Sequence, residues 1–105
     1  MKHLTIVVKP FRAEAVLKVI AEVGVGVEQC LVREAKGYGR QKGYLDRYRD
    51  GDFSMAFLPK VIITLWVHDD RAEELAERIA KTARTGRIGD GKILAVPAAY
   101  DVIEF

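Results

Sequence analysis

The most constraining feature of this chain is an order that occurs twice: strand, helix, strand, on either side of an aperiodic stretch. Leu4 to Val8 is alternating and β-branched, which predicts a strand. Pro10 stops it, and Arg12 to Val23 carries Val16, Leu17, Ile20 and Ala21 at helical spacing. Gly24 and Gly26 end that helix, and Val27 to Ala35 reads as a second strand. After the aperiodic stretch, Pro59 opens a third strand, Lys60 to His68, apolar enough for the centre of a sheet. Asp69 or Asp70 is placed to cap the next helix, and Asp70 with Glu73 has capping-box spacing. The helix, Arg71 to Arg84, aligns Leu75, Ala76, Ile79, Ala80 and Ala83. A glycine-rich turn, Thr85 to Lys92, leads to a fourth strand, Ile93 to Val96, which Pro97 ends, and the tail 98–105 is open to a short helix or an edge strand.

Two such units predict an α+β, ferredoxin-like β-α-β-β-α-β domain spanning 1–105, with both helices on one face of an antiparallel sheet. A chain of 105 residues is one domain in size. Its 50% hydrophobic content supports a packed core and argues against disorder. The second face of the sheet also carries apolar residues, which predicts that it meets another subunit. At this size a deep site is most readily built between subunits.

Composition removes several classes. A net charge of +2 is too mild to argue for nucleic acid. No apolar run approaches the roughly 18 residues of a membrane span, and no signal-peptide layout is present. Cys30 stands alone, and His3 and His68 are far apart, so no disulfide or Cys/His metal set is expected and the cytoplasm is the expected compartment.

Chemistry is suggested in two places. Gly86, Gly89 and Gly91 allow the turn to approach a ligand closely, its backbone N–H groups suit an anion, and Arg87 and Lys92 suit phosphate. The same residues also fit an ordinary helix-to-strand turn, and the Walker pattern is absent. The stretch Lys36 to Met55 holds four glycines, Tyr38, Tyr44, Tyr48 and Phe53, with Asp46, Asp50 and Asp52 among Arg47 and Arg49. It reads as a loop of about 20 residues, a length that is usually functional or disordered. Within it Arg40, Gln41 and Lys42 could bind carboxylate or phosphate oxygens. Trp66 reads as core or interface, and no residue stands out as a general base. An RNA-binding sheet would want two aromatics on a central strand, which are missing.

The segments Lys9-Pro10-Phe11, Lys36-Gly37-Tyr38-Gly39-Arg40-Gln41-Lys42-Gly43, Phe57-Leu58-Pro59-Lys60-Val61 and Ala83 to Ile93 closely resemble the PII family of nitrogen regulatory signal proteins. They occur in order at the family's spacing, and the match covers Met1 to about Val96. The resemblance implies a homotrimer in which ATP and ADP compete for clefts between subunits. It makes residues 37–57 the T-loop, 85–92 the phosphate-cradling B-loop and 97–105 the C-terminal segment. Gly37, Arg40, Gln41, Gly86, Arg87, Gly89, Asp90, Gly91 and Lys92 match nucleotide-binding positions. Gln41 also matches the ligand of Mg when 2-oxoglutarate chelates the metal of bound ATP, and Lys60 matches the lysine that pairs with the 2-oxoglutarate carboxylate. The implied role is non-catalytic. The T-loop would change shape with the ligand, and a partner transporter or metabolic enzyme would read it, with no direct membrane insertion.

Three departures from the family pattern bear on this expectation. The tyrosine that receives a nucleotidyl group aligns with Phe53, which has no hydroxyl; Tyr48 matches a different loop tyrosine, and Gly51 the position of a phosphorylated serine in some relatives. Gly24 to Arg33 is about two residues longer than usual. Typical members also continue past Phe105 with arginines that grip the phosphates, whereas Glu104 stands near such a position. Losing one charge-assisted contact costs about 1.5–3 kcal/mol, so ATP is expected to suffer most, leaving ADP or AMP as comparatively good ligands. The alternative within the class is a PII-like sensor of bicarbonate or another small anion; a slow ATPase using the same cleft is the enzymatic alternative.

Overall fold

The computed structural model describes residues 1–24, 29–41, 54–87, 89–100, 102–103 and 105, with the backbone course alone at 39–41 and 54–56. The elements follow the predicted order: β1 (Lys2–Val8), a 3-10 turn (Pro10–Arg12), α1 (Ala13–Val23), β2 (Leu31–Gln41), β3 (Ser54–Val67), α2 (Asp69–Ala83) and β4 (Gly91–Pro97). The four strands form one antiparallel sheet in the order β2-β3-β1-β4. This is the ferredoxin-like arrangement expected from the doubled strand-helix-strand order.

Alternation along the strands decides what each face does. Leu4, Ile6 and Val8 of β1 and Val61, Ile63, Leu65 and Val67 of β3 point to one face and are buried. There they meet Val16, Val19, Ile20 and Val23 of α1 and Ala72, Leu75, Ile79 and Ala83 of α2. Two arginines of α2 tie the helices together: Arg71 donates to the Val23 carbonyl at the end of α1, and Arg78 pairs with Glu22 at 2.5 Å.

Among the described residues, neither α-helix covers the other face. In register across it run Leu31, Thr64, Thr5 and Leu94 in one row and Trp66, His3 and Val96 in the next. Trp66 is 43% exposed and leans on His3, with ring centroids 4.4 Å apart. Leu31, Leu94 and Val96 are also exposed.

Three expectations need correction. The loop read over 36–55 begins and ends as sheet. β2 and β3 stay paired from Leu31↔Thr64 out to Gln41↔Ser54, with Tyr38 and Phe57 stacked across the ribbon at 4.7 Å. Aromatic cross-strand pairs stabilise a ribbon that has no alternating pattern to advertise it. Pro59, expected to open a strand, lies inside β3. Because β1 ends at Val8 opposite Val61, this part of β3 has a strand on one side only, where proline is tolerated. Finally, neither aspartate caps α2: His68 is the N-cap residue, while Asp69 and Asp70 occupy the first turn. Acids there are favoured by the helix dipole, and Asp69 also pairs with the Met1 ammonium at 3.0 Å, which lowers its pKa.

Residues 42–53, with Tyr44, Tyr48, Gly51 and Phe53, lie outside the described residues, as does Glu104. Among the described residues no helix or strand follows Pro97. None of the helices described is long and apolar enough to cross a membrane.

Candidate functional site

The glycine-rich turn joins the end of α2 to the start of β4 and is organised around a carboxylate that belongs to it. Asp90 Oδ2 accepts hydrogen bonds from the backbone N–H groups of Thr85 (2.6 Å), Gly86 (2.8 Å) and Arg87 (3.2 Å). Its Oδ1 accepts from the Thr85 hydroxyl and from Lys9 Nζ, the latter at 3.1 Å. Partial burial works to raise the Asp90 pKa. The hydrogen bonds from Thr85, Lys9 and Arg87 outweigh it and hold the carboxyl well below the usual carboxylate range.

Gly86 and Gly89 both take positive φ, 86° and 85°, which closes the turn within a few residues. Gly91 is required for a different reason. A Cβ there would stand 2.4 Å from the Val7 carbonyl oxygen, so glycine lets β4 lie against the end of β1.

A second anchor crosses from β3. Lys60 Nζ donates to the Gly89 carbonyl at 2.7 Å. Its aliphatic stem passes over Gly37, where a Cβ would lie 3.2 Å from Lys60 Cγ. The glycine on β2 therefore makes room for the lysine that reaches the turn. Desolvation lowers the Lys60 pKa first, and repulsion from Lys9 adds to it; Asp90 partly offsets both, and Lys92 repels further. Lys9, Lys60 and Lys92 thus form a cationic group around one carboxylate.

Between the turn and the end of α2 lies an open cleft of about 520 Å³. One wall is apolar, with Val8, Ile79 and Ala83, while Arg84, Arg87 and Lys92 supply positive charge. An apolar wall beside fixed cations and glycine backbone suits a ligand with a flat or apolar part and an anionic tail.

Six of the predicted binding residues are brought together: Gly86, Arg87, Gly89, Asp90, Gly91 and Lys92 all line this cleft. Lys60 and Gly37 adjoin them through the Gly89 carbonyl. Arg40 and Gln41 sit at the far end of β2, opposite Met55 and Ser54. Their side chains, and with them the proposed Mg ligand, lie outside what is described. No group of three or more metal-ligating side chains occurs among the described residues. Two residues were missed by sequence reasoning alone. Arg84 lines the cleft from the residue after α2, a position that reads as an ordinary basic helix end. Lys9 reaches Asp90 across 81 residues of sequence, a pairing no spacing rule announces.

Comparison with known proteins agrees with this arrangement. The family model described as nitrogen regulatory protein P-II matches residues 1–103. Nitrogen regulatory protein GlnK of Escherichia coli (strain K12) is 43% identical over 93 residues, 89% of this chain and 81% of that protein. Nitrogen regulatory protein P-II of Rhizobium leguminosarum bv. viciae is 45% identical over the same shares of each chain. Nitrogen regulatory protein P-II 1 of Escherichia coli (strain K12) is 42% identical over 99 residues, covering 94% and 87%. With the sheet order, the turn and the cleft in place, this chain belongs to the P-II family of nitrogen regulatory proteins, signal proteins that are regulators and not enzymes.

Proposed function

We propose that this chain acts as a cytoplasmic homotrimer that binds ATP or ADP, with AMP as a further ligand, in clefts between subunits. Ligand state then sets the shape of the segment joining β2 and β3, which a partner transporter or enzyme reads. The observation that carries this reading is the cleft itself. Glycine backbone, Arg84, Arg87 and Lys92 converge beside an apolar wall at one end of the sheet. The uncovered apolar face supports the trimer, since an exposed face of this kind marks a protein contact.

Lys60 is the proposed effector residue. Its ammonium suits a carboxylate, and 2-oxoglutarate bound through Mg-ATP would bring one there, with Gln41 as the protein ligand of Mg. The Lys9, Lys60 and Lys92 group would also suit a smaller anion, which favours bicarbonate as the second reading. Calorimetric titration of ATP, ADP and AMP, each with and without 2-oxoglutarate or bicarbonate, tests both. Binding of an adenine nucleotide that weakens at least about tenfold in Lys92→Ala supports the site. No nucleotide binding by the folded wild-type chain sinks it. Enhancement by 2-oxoglutarate alone selects the first effector, and enhancement by bicarbonate alone the second.

A further inference from the structure

We propose that Lys9 is a positioning residue of the phosphate-binding turn and that it acts by neutralising Asp90. This rests on the nucleotide reading of the cleft and adds to it a residue that lies outside the cleft lining.

The turn has a difficulty as an anion site. Three of the backbone N–H groups that would suit a phosphate, those of Thr85, Gly86 and Arg87, already donate to Asp90. The nest holds its own carboxylate, and that carboxylate lines the cleft where the negative charge of a nucleotide would come to rest. Uncompensated, it would repel every phosphate that approached, more strongly at reduced dielectric than in water. Backbone dipoles disperse part of the charge but carry no whole positive charge of their own.

Lys9 supplies that charge. It follows β1 directly and stands 3.1 Å from Asp90 Oδ1, on the oxygen turned away from the three amides. The side chains of Lys9 and Asp90 are only 13% and 15% exposed, so water screens the pair weakly. Among the described residues it is the only ion pair Asp90 makes. Lys60, a second lysine whose charge interacts with Asp90, is committed to the Gly89 carbonyl. The pair therefore leaves Asp90 free to shape the turn without setting a net negative charge in the cleft. Arg84, Arg87 and Lys92 remain to face the ligand.

The test compares adenosine, AMP, ADP and ATP by calorimetry on wild type, Lys9→Met, Lys9→Arg and the double variant Lys9→Met with Asp90→Asn. Thermal melts confirm that each is folded. For Lys9→Met the affinity loss should grow with phosphate number, from none for adenosine to about twofold for AMP and about tenfold for ATP. Lys9→Arg should stay within about threefold of wild type, because it keeps the charge. The double variant should regain at least half of the lost ATP affinity on a logarithmic scale, since it removes the uncompensated carboxylate as well. It also carries the test should Lys9→Met fail to fold, because its turn holds no buried unpaired charge. An equal loss for adenosine and ATP, or a double variant weaker for ATP than Lys9→Met, overturns the proposal and leaves Lys9 a structural residue. A wild-type chain that binds adenosine and ATP equally, or neither, overturns the nucleotide reading itself and this proposal with it.

Discussion

The two faces of the sheet are built from the same strands and from similar residues, yet they do different work. On the helix side Leu4, Ile6, Ile63 and Leu65 are at most 1% exposed, in one cluster with side chains of α1 and α2. On the other side Trp66, Leu94 and Leu31 are 43%, 59% and 70% exposed. A one-residue step along a strand moves a side chain from one setting to the other. The difference teaches where free energy resides. The covered face makes the subunit fold, while the open face can contribute only once something covers it. The cleft lies at the border of the two: Ile79, Ala83 and Val8 come from the covered side, whereas Lys92 and Lys60 stand in register with the open one.

The comparison breaks most directly at the centre of the covered face. Ile63 is fully buried, so Ile63→Ala should lose about 2–5 kcal/mol of subunit stability, read from the guanidinium midpoint. A loss under about 1 kcal/mol would mean that the helix side is not the folding core. Next in size is Gly91→Ala, whose Cβ would collide with the Val7 carbonyl. It should cost about 1–3 kcal/mol and loosen the β1–β4 pairing, visible as faster amide exchange along β4. Exchange unchanged along β4 would show that the strand accommodates the methyl group.

Legibility in the sequence follows the same border. Alternation and helical spacing are local signals, so the covered face, the order of elements along the chain and the turn could be read from them. The ribbon beyond Lys36 and Pro59 could not, because its stability comes from pairing across strands and a stacked Tyr38 and Phe57. In the site, glycines and cations clustered within eight residues are visible to a reader of sequence. Lys9 is not, since tertiary packing alone carries it to the turn, and Arg84 reads as an ordinary basic helix end. Asp90 was legible as a member of the site but not in its role. Spacing could not reveal that its carboxylate would be given to the turn's own amides.

Acid offers a smaller and more graded probe of the same border. Asp90 titrates lower in the folded chain than the roughly 3.9 of an unfolded aspartate, so its stabilising contribution is complete above about pH 4. As pH falls toward the depressed folded value, the unfolded chain takes up the proton first and that contribution is lost. Wild type should therefore lose stability progressively below about pH 4, and Asp90→Asn should show a shallower acid limb. Identical limbs would mean that the carboxylate is not held as the distances imply. Cleft stability would then owe nothing to its charge.

The smallest effect on the fold, with the largest on assembly, belongs to the open face. Trp66 is 43% exposed and its ring stacks on His3, so Trp66→Arg should change the stability of an isolated subunit by under about 1 kcal/mol. Among the described strand residues the charged ones in register on this face are Arg33, Lys60 and Lys92, all cationic, so a further cation there finds no carboxylate among them. If three copies cover this face in one another, each arginine would be desolvated among apolar partners, and the trimer should fall apart. Wild type should sediment as a trimer and melt at a temperature that rises with protein concentration. Trp66→Arg should sediment as a monomer with a melting point independent of concentration. A variant that remains trimeric would put the subunit contact on another surface and leave this face to a different partner. A concentration-independent wild type would remove the trimer altogether, and the covered face would then account for all of the measured stability.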